Sequence, residues 1–328
     1  MSGRPLYPAY LALAAVCFFW GTLYLGIRIA VEAFPPMILM GGRFLAAGAV
    51  TLLVAAGCNA KMPSFREFRV SSFYGVITLG LGVGTLAIAV QWIPSGLAAI
   101  LTTTTPFWMI GIEALLRGGE RPNLPTLAGI LVGMGGALLL VVPGAMQQGW
   151  SGSILVSFLV LQLGCGGFAL GSILERRHDT TTHPIVNGAV QELATGIAFL
   201  IPAFLLPHNP VHWSFRALAV VLYLIVFGGI VGYSCYLYAM KHLPVSLVSI
   251  YTYVNPVVAV VVGSIIYGEK VGTLEIIAMI IIIAGVLTVK RYSNETIGEP
   301  RLQENLATEI ACMEAGESRV SGRRDKWL

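Results

Sequence analysis

Two ionisable residues, Arg43 and Glu192, fall inside long apolar runs, each about eight positions from the start of its run. A charge at that depth in hydrocarbon costs about 2.5–3.5 kcal/mol on insertion scales, so each needs a partner or a wet cavity. Three kinds of chemistry fit. They are a buried structural ion pair, a snorkelling arginine, or a wet cavity in which the carboxylate can take up a proton. Two further stretches place polar groups at similar depth, LTTTTPFWM (101–109) and YTYVNP (251–256). Proline has no N–H, and its ring crowds the carbonyl four residues back, so Pro106 frees the carbonyl of Thr102 and Pro256 that of Thr252. A freed carbonyl in lipid must find a hydroxyl, a water or a bound solute.

The elements that carry these residues are legible from hydropathy. Apolar runs occupy about 8–27, 36–57, 70–90, 95–116, 123–142, 153–173, 184–206, 217–239, 244–267 and 272–289. Each approaches the ~20 residues that cross a ~30 Å hydrocarbon core at 1.5 Å per residue. Only 11% of residues are charged, against about 25% in a soluble domain. The runs are twice the length of a barrel strand and lack its alternation. The expected fold class is therefore an all-α integral membrane protein with ten transmembrane helices. The first run continues without a cleavage site and is expected to remain as a helix. The five cysteines lie at no metal-ligand spacing and form no evident disulfide framework.

With the N-terminus placed in the cytoplasm, the inner loops receive eleven Lys and Arg, from Arg4 and Lys61 to Arg291, and the outer loops only Arg28, Arg216 and Lys270. That asymmetry sets both termini inside. The net charge of +4 then belongs to loops facing an anionic leaflet and is no argument for nucleic acid. The run Glu175-Arg176-Arg177-His178-Asp179 is expected as a solvated loop that sets topology, and Glu113 and Glu275 are expected to reach the interface. Residues 292–328 mix both signs with few large apolar side chains and are expected as a mobile cytoplasmic tail.

The chain repeats itself. QWIPSGLAAILTTTTPFWM (91–109) aligns with KHLPVSLVSIYTYVNPVVA (241–259), pairing Pro94 with Pro244 and Pro106 with Pro256 at an offset of 150. PMILMGGRFLAAG (36–48) aligns with PIVNGAVQELATG (184–196) at 148, which makes Gln191 the mate of Arg43. Gly136 pairs with Gly285 at 149. The expected organisation is a first five-helix repeat over 1–146 and a second over 147–291. Five is odd, so the second copy is inverted, a plan common among secondary transporters, whose sites lie near the midplane where helices are interrupted. The candidate cavity residues are then Trp20, Tyr24, Arg43, Thr102, Thr105, Trp108, Gln191, Glu192, Tyr251, Tyr253 and Asn255, with Pro106 and Pro256 as candidate hinges. A simple kink repaired by threonine hydroxyls is the competing reading of the two prolines.

WGTLYLGIRIAVEAFPPMILMGGRFLAAG (20–48), IPSGLAAIL (93–101) and YTYVNPVVAVVVGSIIYGEKV (251–271) resemble the EamA-like family of the drug/metabolite transporter superfamily, and within it the YedA-like branch. The second half departs from the first in carrying Phe168 where the first has Trp20 of its WG motif. The resemblance implies two inverted bundles around a central cavity, and export of a small amino-acid-like or drug-like solute across a bacterial inner membrane.

Catalytic equipment is absent from the sequence. Gly80-Leu81-Gly82-Val83-Gly84 lies inside an apolar run, follows no strand, and reads as close helix packing rather than a phosphate loop. No HExxH, Walker A or GxSxG pattern occurs, so no metal, cofactor or catalytic residue is expected. The partners expected are a solute, the bilayer and, where transport is coupled, protons. An uncoupled facilitator or channel is the alternative from a different class, and a membrane-embedded enzyme would require a convergent nucleophile and base that the sequence does not supply.

Overall fold

The computed structural model describes residues 6–93, 98, 101–119, 121–146, 152–178, 180–205, 210–267, 273–274 and 276–292, and among them every regular element is helical. Helix α1 (Tyr7–Ala33) has a proline in its first turn, where no N–H is missed, and stops at Phe34, which the following proline holds extended. Helix α2 (Pro36–Gly57) starts on proline for the same reason. Helix α3 (Phe65–Ala89) opens with a capping box in which Ser64 and Glu67 satisfy each other's backbone N–H. There follow α4 (Thr105–Leu115), α5 (Leu124–Met146), α6 (Gly152–Arg177), α7 (Pro184–Leu205), α8 (Phe215–His242), a single turn Val245–Val248, and α9 (Tyr251–Tyr267). Residues 276–292 are helical as well.

Six of these helices, α1, α2, α3, α7, α8 and the part of α6 from Leu155 to Arg177, are long and apolar enough to cross a membrane. Shorter apolar stretches accompany them at Leu124–Gly136 and Val245–Val258. Pro94, Gln147, His208, Glu120, Lys270, Glu275 and the expected tail beyond Tyr292 lie outside the described residues.

The centre of the bundle is the crossing of α2 on α7, which glycine makes possible. A β-carbon on Gly48 would lie 2.7 Å from the Ala189 carbonyl oxygen and 2.8 Å from the Leu193 nitrogen. One on Gly196 would lie 3.0 Å from the Gly41 oxygen and 2.7 Å from the Leu45 nitrogen. These contacts are reciprocal at an offset of 148: Gly48 and Gly196, Leu45 and Leu193, and Gly41 and Ala189 are mates. A second reciprocal contact joins α5 to residues 276–292. A β-carbon on Gly136 would meet the Ala278 oxygen at 3.0 Å, and one on Gly285 the Gly129 oxygen at 2.7 Å. Small residues let apolar helices approach to backbone contact, which is how helices associate where no water drives them together.

Both α3 and α8 contain a π-helical segment, Val76–Leu81 and Leu224–Tyr233, whose first residues are 148 apart. Each widens its helix where it borders the centre, a distortion that recurs at functional sites.

Three expectations differ from the structure. The run 95–116 is not one helix, because residues 103–104 form a turn and α4 begins afresh at Thr105, leaving Pro106 in a first turn. Glu113, near the end of α4, is covered by protein. It is 5% exposed and pairs with Arg177 at 2.7 Å, because the chain after α4 folds back over it. The stretch from Glu175 is not simply solvated either: Glu175 is half-buried and accepts from Asn187 Nδ2 at 3.2 Å, because α7 returns directly against the end of α6.

Candidate functional site

Seven helices, α1, α2, α3, α6, α7, α8 and α9, with the break before α4, converge on a cavity of about 90 Å³. Of the residues expected there, Trp20, Tyr24, Arg43, Thr102, Thr105, Glu192, Tyr251 and Asn255 line it. The other three do not. Gln191 is fully buried beside it and accepts a hydrogen bond from the Tyr233 hydroxyl. Trp108 is 42% exposed and donates to Gln162 at 3.0 Å. Tyr253 is buried against Gly133 of α5.

One wall is aromatic. The Trp20 ring meets Phe168 edge-to-face at 6.0 Å and Tyr251 edge-to-face at 5.1 Å, and stacks on Tyr236 at 5.1 Å. Its indole Nε1 donates to the Gly228 carbonyl at 3.3 Å, inside the π-helical segment of α8. That places an amphipathic ring between two chain regions 208 residues apart in sequence. Phe168, Cys165 and Tyr233 also line the cavity and were not among the residues singled out. The repeat held the signal for Phe168, since it is the mate of Trp20. Cys165 likewise is the mate of Cys17.

Charge borders the same cavity, beside the same glycines of α8. Arg43 on α2 and Glu192 on α7 are 4% and 2% exposed and border the same cavity. They make no contact with each other within ion-pair distance, and Arg43 Nε and Nη1 and Glu192 Oε1 have no hydrogen-bond partner among the described residues. The guanidinium instead lies 4.2 Å above the Phe44 ring. Both charges face the glycines of the α8 π segment: a β-carbon on Gly228 would stand 3.3 Å from Arg43 Nη1, and one on Gly229 2.6 Å from Glu192 Oε1. Unsatisfied buried polar groups are uncommon because each forfeits its desolvation penalty, so a concentration of them marks a place built to meet polar atoms.

The broken helices supply the remaining polar lining. At the first break, Thr105 Oγ1 donates to the Thr102 carbonyl at 2.6 Å, and the Leu101 carbonyl accepts from Gln162 Nε2 at 3.1 Å and Thr104 Oγ1 at 3.0 Å. Gln162 Oε1 accepts in turn from Thr104 Oγ1 at 2.9 Å. The Tyr24 hydroxyl pairs with Thr102 Oγ1 at 2.8 Å, tying α1 to the break. At the second, Ser249 Oγ donates to the Ser246 carbonyl at 2.8 Å and Thr252 Oγ1 to that of Ser249 at 2.9 Å. The Asn255 amide, with its nitrogen as donor, reaches the Tyr251 carbonyl at 2.9 Å and the Cys17 carbonyl at 3.2 Å. Side-chain hydroxyls and amides therefore cap the interrupted backbone while leaving the helices separable there.

Known proteins match this arrangement along almost its whole length. The pattern of the EamA-like transporter family fits residues 7–142 and again residues 155–291. The chain is similar to the uncharacterized inner membrane transporter YedA of Escherichia coli strain K12, with 31% identity over 88% of this chain and 92% of that one. It is similar to protein PagO of Salmonella typhimurium, at 26% over 81% and 88% of the two chains. It is also similar to a probable terminal-alkyne amino-acid exporter of Streptantibioticus cattleyicolor, at 25% over 88% and 95%. A solved crystal structure superposes with a TM-score of 0.71 over 87% of this chain and 98% of its own, at 21% identity, and so shares the fold. With its apolar helices, its central cavity and a family pattern that covers both halves, this chain belongs to the EamA-like family of membrane transporters.

Proposed function

We propose that the protein is a secondary transporter that exports a small organic metabolite across the bacterial inner membrane by alternating access. The observation that carries this reading is the cavity that Arg43 and Glu192, buried and without direct partners among the described residues, share with an aromatic wall. A zwitterionic or otherwise amphipathic solute complements those three features, with an anionic group at Arg43, a cationic one at Glu192 and a flat or apolar body at Trp20, Phe168 and Tyr251. The amino-acid exporter among the relatives is in keeping with that chemistry.

The architecture proposed is ten membrane spans in two inverted five-helix repeats, 1–146 and 147–291, followed by a cytoplasmic tail over 292–328, with both termini inside. The reciprocal glycine contacts and the paired π segments support the two repeats, and the excess of Lys and Arg in one set of loops supports the orientation. A cavity of about 90 Å³ is smaller than the ~300–1,000 Å³ of ordinary ligand pockets. It must widen to load solute, and the breaks before Pro106 and around residues 249–250 are where the helices can move.

A comparison of spent medium from deleted and overexpressing cells identifies the exported solute, and proteoliposomes then test its flux. Accumulation against a gradient in response to an imposed pH difference or potential marks a coupled carrier, whereas simple equilibration marks a facilitator. The absence of any solute whose distribution depends on the protein would overturn the reading.

A further inference from the structure

On the face that collects the basic loops, α4 ends and the chain turns back through Leu116, Arg117, Gly118 and Gly119. Gly118 has a φ of +69°, in the left-handed region that glycine alone occupies without strain. A β-carbon on Gly119 would collide with the Glu113 carbonyl oxygen and lie 2.8 Å from Arg177 Nη2, so the turn closes on the end of α4 and on that guanidinium together. Arg177, in the last turn of α6, donates from Nη2 to Glu113 Oε1 at 2.7 Å and from Nη1 to the Arg117 carbonyl at 2.9 Å. Glu113 is almost wholly buried, so the planar fork is received by a carboxylate, a carbonyl and the space left by a glycine.

A second contact on the same face spans the same divide. Glu67 Oε1 accepts from Thr180 Oγ1 at 3.0 Å, Thr181 N at 2.9 Å and Thr181 Oγ1 at 3.1 Å. Both contacts join the chain before residue 147 to the chain after it.

Among the described residues, the opposite face joins the halves by a backbone bond, His212 N to the Ala33 carbonyl at 2.9 Å, and not by a charged side chain. The mates of Arg177 and Glu67 at an offset of 148 are Ile29 and Phe215, and that of Glu113 is Val262 or Gly263. Arg28, the cation there, is held within the first half, by the Val90 carbonyl and by Glu32 at 4.0 Å. Beside it a vestibule of about 660 Å³ opens between Phe34, Pro36, Gln91 and His212. Among the described residues, one end of the bundle is thus bolted by charged and hydroxyl side chains between halves, and the other by a backbone bond beside open space.

We propose that Arg177 and its socket at Glu113, Arg117 and Gly119 form a latch that holds the basic face closed and must release before solute can enter the central cavity from that side. This rests on the alternating-access reading above. The latch biases the two states, because a carrier with equal bolts at both ends would have no structural reason to rest open to one.

The test uses Cys165, which lines the cavity, in a full-length chain whose other cysteines are serine. The rate of its modification by a membrane-impermeant maleimide is measured in right-side-out and in inside-out vesicles. Arg177→Gln is expected to raise the rate from the basic face at least threefold and to lower it from the other. Arg177→Lys, which keeps the charge and loses the fork, should fall between. Should Arg177→Gln lower the amount of folded protein by stranding Glu113, the neutral pair Arg177→Gln with Glu113→Gln decides. Folded variants with parental rates from both faces would overturn the latch while leaving transport, measured separately by solute export, untouched. If Cys165 reacts from neither face in any variant, the latch falls together with the cavity reading.

Discussion

Trp20 and Phe168 stand 148 residues apart at matching places in the repeat, and their rings meet edge-to-face with centroids 6.0 Å apart at the wall of the central cavity. The difference between these two mates has a specific task, since the indole donates to the Gly228 carbonyl as well as packing and a phenyl ring cannot. Trp20→Phe should therefore keep the packing and lose one hydrogen bond worth about 1 kcal/mol. Trp20→Ala should lose about 3–5 kcal/mol. Thermal unfolding in detergent should rank parent, Trp20→Phe and Trp20→Ala in that order, and equal midpoints for the last two would remove the packing argument.

The α2–α7 crossing predicts which glycines tolerate a methyl group. Gly48→Ala and Gly196→Ala each place a β-carbon against the facing backbone and should destabilise by about 1–3 kcal/mol. Gly42→Ala on the same helix meets nothing within 4 Å and should stabilise by up to ~1 kcal/mol through helix propensity. Melting curves of the three variants check this, and a destabilised Gly42→Ala would mean that the helices do not cross at these residues.

Arg43 and Glu192 are close enough to feel each other and too far apart to bond. Glu192→Gln leaves the arginine buried without a counter-charge and should lower both folded protein and export, the export by at least tenfold. Adding Arg43→Gln should recover part of the abundance, because the stranded charge is gone, and none of the export. Membrane abundance by immunoblot and solute flux in proteoliposomes separate the two readouts. Recovery of export in the double variant would make the pair structural only.

The two prolines should behave differently, although they are mates. Pro106 sits in the first turn of α4, where no intrahelical bond is lost, while Pro256 lies inside α9. Pro256→Ala restores a backbone bond and should raise the melting midpoint and slow transport, whereas Pro106→Ala should change stability by less than about 1 kcal/mol. Gln162→Leu, which cuts the bonds to Thr104, Trp108 and Leu101, should be the more damaging change at the first break, by about 2 kcal/mol or more. Thermal unfolding of the three variants tests the order.

How far the sequence reached depended on whether the property was local. Hydropathy is summed over neighbouring residues, so the apolar runs and the polar interruptions at TTTTP and YTYVNP could be read directly. The repeat carried further, because matching residues make matching contacts: Gly48 meets Ala189 and Leu193 as Gly196 meets Gly41 and Leu45, and the mates Trp20 and Phe168 meet ring to ring. Local rules failed at Glu113 and Glu175. Their closeness to helix ends suggested solvent, and Glu113 instead pairs with Arg177 of the other half while Glu175 is met by Asn187 of the next helix.

The sequence by itself determined the membrane class and the pairing of the two interruptions, since these follow from composition and internal similarity. It also carried the resemblance to the family that the comparisons establish. Only the tertiary structure decided which polar side chains share a space. Trp108 and Tyr253 have the right types at the right depth and point away from the cavity, while Phe168, Cys165 and Tyr233 point into it. The reason is rotational. A turn of helix advances 100° per residue, so a residue one position from a cavity-lining neighbour faces lipid or another helix. Which face turns inward is fixed by the glycine contacts between helices, distant in sequence, that bring the two halves together.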